Sequence, residues 1–226
     1  MLFLRQTLTI AAKDLRSEFR GKEAINASLS FAVVILLLFS FAFDPSAETM
    51  REISGGLLWI AFAFAGALIL NRSFAREMPN DCLDALISSP VPGSALFLGK
   101  ALANLLLLIG IELLCLPVFG VFYNVRWWVE LWPLLLVLLL ATWGITVIGT
   151  MFSALTVNLR LRELMLPMLL YPMLIPALMA AMQLTTVLIA GQPLDAGAMI
   201  WLRLLAGFDI IFTALALATV ETVLVR

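Results

Sequence analysis

Apolar residues run through this chain in long blocks, without the alternation of a membrane strand. Crossing the hydrocarbon of a bilayer takes about 20 apolar residues in a helix. Six stretches qualify: 24–43, 53–70, 101–122, 132–157, 164–190 and 204–225. Backbone in lipid must satisfy its own hydrogen bonds, so each is predicted to be a helix. Between 164 and 203 the apolar character is interrupted only by GQPLDAG at 191–197. Two readings stay open there. One is a single long crossing with an apolar loop; the other is a crossing that ends near Met182, with 183–203 re-entering the membrane.

Ahead of the first block the pattern changes. Leu4, Leu8, Ala11, Leu15 and Phe19 recur at spacings of three and four, while Arg5, Lys13, Arg16 and Arg20 lie off that stripe. This predicts an amphipathic helix lying in the interface, cations towards anionic headgroups. Residues 1–23 therefore form an interfacial helix and 24–226 a six-span domain, an all-α polytopic arrangement. The first apolar run starts behind a charged segment with no A-x-A-like site after it, so no cleaved signal peptide is expected.

Composition agrees. The chain of 226 residues is 63% hydrophobic and 13% charged, with a mean hydropathy of +1.07, more apolar surface than a soluble fold of this size hides. Lys and Arg in the short loops set the orientation. Arg5, Lys13, Arg16, Arg20, Lys22, Arg72, Arg76, Lys100, Arg160, Arg162 and Arg226 fall on one side, and only Arg51, Arg126 and Arg203 on the other. The first side is read as cytoplasmic, with both termini inside. Trp127, Trp128 and Trp132 cluster at the other side, as an aromatic belt would.

A net charge of −1 gives no basic bias towards nucleic acid. The chain has no histidine, which removes the commonest metal ligand and general base. Cys82 and Cys115 form no CxxC pair. No metal site, no catalytic residue and no resident cofactor is expected. Gly93, Gly99 and Lys100 superficially resemble a phosphate loop, but five residues separate the glycines and Ala101 follows the lysine. That spacing does not make a nucleotide site.

The longest polar interruption, 71–100, carries its own helix signals. Asn80 and Asp81 are good N-caps and Asp84 follows three residues later. Leu83, Leu86 and Ile87 share a short apolar face, and Pro90 and Pro92 end the run. Two readings fit a capped helix at Asn80–Ser89: one lying flat on headgroups, or one docking in a groove of a soluble partner.

Charged and proline residues also fall inside the apolar blocks. Glu112 sits near the middle of the third, far from any Lys or Arg, and is either functional or a hydrogen-bonded structural acid. Asp209 and Glu221 are expected nearer the ends of the last span, in reach of water. Pro167, Pro172 and Pro176 punctuate the fifth span and are kink candidates. Gly144 and Gly149 suit close helix packing.

The order of these elements, with Phe74-Ala-Arg-Glu77, Leu83-Asp84-x-Leu86 running to Ser89-Pro90-Val-Pro92, and Gly99-Lys100-Ala-Leu102, resembles the permease subunits of ABC-2-class transporters. Within that class the chain is similar to the heme exporter protein B family of cytochrome c maturation. Ala154–Val157 followed by basic residues, and Leu166-Pro167, Tyr171-Pro172 and Ile175-Pro176, resemble a second signature of that family. Two departures stand out: Asn80-Asp81 where the family usually has Asp-Gly, and Arg162-Glu163 where glycines are common. The resemblance implies a non-enzymatic permease subunit in the bacterial inner membrane. It implies haem as cargo, ATP handled by a separate cytoplasmic ATPase, and a second permease copy or related subunit. Other maturation proteins and a haem chaperone would be further partners. It also implies that Glu77, Asn80, Asp81, Leu83, Asp84, Leu86, Ile87 and Pro90 form the ATPase contact. A permease for a lipid, polysaccharide or drug, and an ATP-independent assembly scaffold, are the other readings. Without histidine, any haem-iron ligand from this chain would be Met, Tyr or Cys.

Overall fold

The computed structural model describes residues 2–43, 48–78 and 91–224, without the side chains of 48–51 and 224. Every regular element among them is helical. They are α1 (Leu2–Gly21), α2 (Glu23–Ala42), α3 (Glu48–Ser73), a 3-10 turn (Ala75–Glu77), α4 (Gly93–Phe122), α5 (Leu131–Thr156), α6 (Arg162–Ile189) and α7 (Ala196–Leu224). All but α1 and the turn are long and apolar enough to cross a membrane, giving the six expected spans.

The helices do not share the interior equally. α3 touches α2, α4, α5 and α6, and 78% of its most apolar window is buried. It is the hub. Its residues are small or flat where neighbours press closest: a Cβ on Gly55 would lie 2.5 Å from Thr186 Oγ1. α7 is peripheral, with 22% of its window buried. Gly149 shows why α5 fits so tightly on the hub, since a Cβ there would stand 2.3 Å from Leu70.

Between α6 and α7 the structure decides between the two readings. α6 is one unbroken helix of 28 residues, about 42 Å at 1.5 Å per residue, and Pro167, Pro172 and Pro176 all lie inside it. It stops at Gly191, whose φ of +71° suits glycine. The Gly191 and Gln192 amides donate to Leu188 and Val187 carbonyls, the paired bonds of a Schellman stop. Asp195 then caps α7, accepting from the Ala198 amide at 2.7 Å. The helix therefore does not break near Met182, and only residues 190–195 separate α6 from α7.

This early start of α7 corrects one expectation. The last span begins at Ala196, not near 204, because Arg203 is an exposed residue within the helix and not a loop boundary. Asp209 consequently sits at mid-helix and is only 6% exposed, away from either end.

α1 also has more faces than its sequence suggests. Leu4, Leu8 and Phe19 are exposed, as an apolar stripe meeting lipid would be. The rest of that stripe departs from expectation: Ala11 is buried and Leu15 packs on the core, because Thr7, Ile10, Ala11 and Glu18 form a buried face and α1 packs along α4. Ile10 joins Leu96, Phe97, Ala216 and Val220 in one core cluster, so α1, the start of α4 and the end of α7 meet at one end of the bundle.

Candidate functional site: a clamp of buried charges at the α1 end

α4 can approach α1 closely because residue 99 is glycine. A Cβ there would lie 2.8 Å from the Ile10 side chain and 2.9 Å from the Thr7 carbonyl. The next residue, Lys100, is 1% exposed. A lysine this deep needs every proton of its ammonium matched. Its Nζ donates to Asp14 Oδ2 at 3.0 Å, to Glu77 Oε1 at 3.2 Å and to the Ser73 carbonyl at 2.9 Å. It also sits 5.0 Å from the Phe74 ring centroid, within cation–π range.

Lys13 completes the group. Its ammonium donates to the same Glu77 Oε1 at 2.5 Å and lies 3.2 Å from Asp14. Two ammoniums thus face two carboxylates, and the group is neutral overall. Partial burial works against the charge of Lys13, but its hydrogen bond to Glu77 and the field of Asp14 outweigh that and raise its pKa.

A second pair is stacked beside the first. Glu18, 2% exposed, forms an ion pair with Arg76 through Oε2. Its Oε1 accepts from the Ala24 and Ile25 amides at 3.1 and 3.3 Å. These are free donors of the first turn of α2. The residue at the usual cap position, Lys22, makes no side-chain cap and has φ +58°. Glu18 of the preceding helix therefore caps α2 across a one-residue joint.

A cleft of about 230 Å³, lined by Lys13, Glu18, Ser73, Arg76, Asn104 and Leu107 among others, opens between these groups. At its inner end Asn104 uses both amide protons, donating to Ser73 Oγ at 2.9 Å and Thr150 Oγ1 at 3.0 Å. The clamp thus joins α1 to both stems of the 78–91 loop, at Ser73–Glu77 and at Gly99–Asn104.

Of the residues expected from sequence to contact a partner, Glu77 is placed, and it lies within this clamp. Asn80, Asp81, Leu83, Asp84, Leu86, Ile87 and Pro90, with Cys82, lie outside the described residues. The intramembrane candidates do not come together. Glu112, 1% exposed, accepts from Thr142 Oγ1 at 2.6 Å, and its Oε2 has no partner among the described residues. Asp209 lies against Gly144, where a Cβ would be 2.8 Å from Oδ1, and both its oxygens lack partners among the described residues. Tyr171 packs edge-on to Phe64, ring centroids 5.2 Å apart. Cys115 is buried and free, and no group of metal-binding side chains occurs among the described residues.

Sequence reasoning missed Asp14, Glu18, Asn104 and the partnership of Lys100. The signal was present: Asp14 and Glu18 lie four apart on α1, and Lys100 and Asn104 four apart on α4.

Six apolar spans with an amphipathic N-terminal helix clamped to the residues that flank a polar stretch define a multi-pass helical membrane protein. The chain belongs to the CcmB protein family, whose sequence model matches residues 5–224. It is 34% identical over 176 residues to the Heme exporter protein B of Rhodobacter capsulatus, covering 77% of this chain and 80% of that protein. It is similar to the Pseudomonas aeruginosa Heme exporter protein B, at 28% over 223 residues, 92% of this chain and 93% of that one. The Paracoccus denitrificans protein of the same name is 32% identical over 167 residues, 74% of this chain and 76% of that protein.

Proposed function

We propose that this chain is the membrane permease subunit of a haem exporter serving c-type cytochrome biogenesis. On this reading it lies in the bacterial inner membrane with the α1 end and both termini cytoplasmic. A separate cytoplasmic ATPase docks on the 79–90 loop through Leu83, Leu86 and Ile87, flanked by Asn80, Asp81, Asp84 and Pro90. A second permease copy or related subunit completes the membrane core. Haem is cargo, handed on to a haem chaperone and other maturation proteins at the opposite end. The names of the relatives support the cargo.

The observation that carries the mechanism is the clamp. Lys100 on α4 and Glu77 beside α3 are tied to each other and to Asp14 of α1. A load on the loop therefore reaches α1, α3 and α4 together. Opposite charges arranged around one fully buried ammonium resist being pulled apart one at a time, because a lost partner leaves Lys100 unmatched. ATP closure of the partner would move the set as one piece.

The test is replacement of Leu83 and Leu86 by Asp. The double variant is expected to insert normally, to release the ATPase in a pull-down, and to abolish covalent haem attachment to c-type cytochromes in a strain lacking the parent gene. Retention of the ATPase by the double variant defeats the docking reading.

A further inference from the structure

The interface between α4 and α5 contains two polar rungs in an apolar wall. Asn104 bonds Thr150, and Glu112 bonds Thr142. The helices run antiparallel, and the rungs are eight residues apart on each, about 12 Å along the axis at 1.5 Å per residue. Both pairs therefore belong to one register. Midway between them Leu108 and Thr146 are buried, and Thr146 turns its hydroxyl back to the Trp143 carbonyl of its own helix. Beyond Glu112, towards the other end, the buried side chains of α4 are Cys115, Leu116 and Phe119.

Apolar helix faces in a membrane have little to gain from one register over another, because lipid is as apolar as a neighbouring helix. Buried polar pairs do discriminate, since a slip leaves each partner unmatched in a low dielectric. A slip of one turn in either direction breaks both rungs and brings a new hydroxyl, that of Thr146, opposite only one of the two, leaving the other polar side chain unmatched. The upper rung is continuous with the clamp, because Asn104 also bonds Ser73, whose carbonyl accepts from Lys100.

We propose that Asn104–Thr150 and Glu112–Thr142 are positioning pairs that lock α5 to α4, so that a displacement at the clamp is carried to the middle of the bundle by two helices moving as one body. The inference rests on the coupling function proposed above. Glu112 acts here as a hydrogen-bond acceptor, and its role is fulfilled by any side chain that accepts from Thr142.

The test uses the assembled complex of permease and ATPase. Thr142→Val removes one hydroxyl at constant shape, Asn104→Leu removes the other rung, and Glu112→Gln keeps the acceptor. Three quantities are read: recovery of the complex, its ATP hydrolysis rate, and haem attachment to c-type cytochromes. Thr142→Val and Asn104→Leu are expected to assemble and hydrolyse ATP as the parent does, while haem attachment falls about threefold to tenfold. Glu112→Gln is expected to stay within about twofold of the parent. Full haem attachment in Thr142→Val overturns the proposal. So does a loss in which complex recovery and output fall in proportion, the signature of a purely structural pair. Failure of Glu112→Gln with an intact complex also overturns it, by assigning the residue a role in charge. Should Asn104→Leu not fold, Thr142→Val still decides. Run beside the Leu83→Asp/Leu86→Asp variant, the set separates two failures. Seam variants without effect while that variant loses the ATPase sink the seam alone; an ATPase that stays bound sinks the coupling function itself.

Discussion

The two ends of α4 are held in contrasting ways. At the α1 end, Lys100 is enclosed by two carboxylates and a carbonyl, and Gly99 lets α1 close over it. At the other end, the Phe119 and Tyr123 rings lie tilted with centroids 4.6 Å apart, and among the described residues two separate hydrogen bonds tie this end to α2. These are Tyr123 Oη to the Leu36 carbonyl at 2.9 Å and Ser40 Oγ to the Phe122 carbonyl at 3.2 Å. Beside them Trp127 packs over Gly120, and Trp128 and Trp132 are exposed. One end is specified by charge geometry that tolerates no partial disengagement. The other is specified by shape, with single bonds that can be lost one at a time.

That contrast can be broken most forcefully at Lys100. Lys100→Met leaves Asp14 and Glu77 facing each other with only Lys13 between them, and removing one partner of a buried pair costs about 3–5 kcal/mol. A large fall in thermal stability in detergent is expected, or failure to recover folded protein. Glu18→Ala comes next, at about 2–3 kcal/mol, since it uncaps α2 and strips Arg76 of its partner. Its melting transition should lie well below that of Glu18→Gln, which keeps the cap acceptor. Gly149→Ala pushes a methyl into Leu70 and should cost about 1–3 kcal/mol, whereas Gly110→Ala, with nothing within 4 Å, should be neutral or slightly stabilising in the same assay. Smallest is Tyr123→Phe at the opposite end, about 1 kcal/mol for one lost hydrogen bond. Equal losses for Lys100→Met and Tyr123→Phe would show that the two ends are held alike.

Much of this architecture is legible in the sequence because lipid imposes a simple rule: twenty apolar residues, helix. The errors arose where polar residues broke that rule. Arg203 looks like a boundary, yet its long side chain is exposed from within α7, and that displaced the expected start of the span and the depth of Asp209. In α1 only Leu4, Leu8 and Phe19 of the expected apolar stripe are exposed, while Ala11 and Leu15 turn to the bundle; Asp14 and Glu18 look like solvent-facing acids until Lys100 and Arg76 are brought to them from over fifty residues away. Lys100 stands out in sequence as a loop cation, as the end of a failed phosphate-loop match and as part of a family motif, none of which says that it is buried among acids. The seam was half visible, as Asn104 and Glu112 on one span and Thr142 and Thr150 on another. Their pairing depended on the antiparallel register of two helices, which apolar periodicity does not encode. The 79–90 loop remains an expectation from its caps and prolines, since it lies outside the described residues.

The one-residue joint at Lys22 also bears on how the molecule is made. Asp14 has Lys13 beside it from the start, but the distant cations that pair with the acids of α1 are translated later: Arg76 after the hub span, Lys100 later still. Until then Asp14 and Glu18 lack those partners, while the exposed Leu4, Leu8 and Phe19 are a stripe of the kind that suits a bilayer surface. The clamp on α1 can therefore close only once α4 has been made, which ties the seating of α1 to the arrival of Lys100.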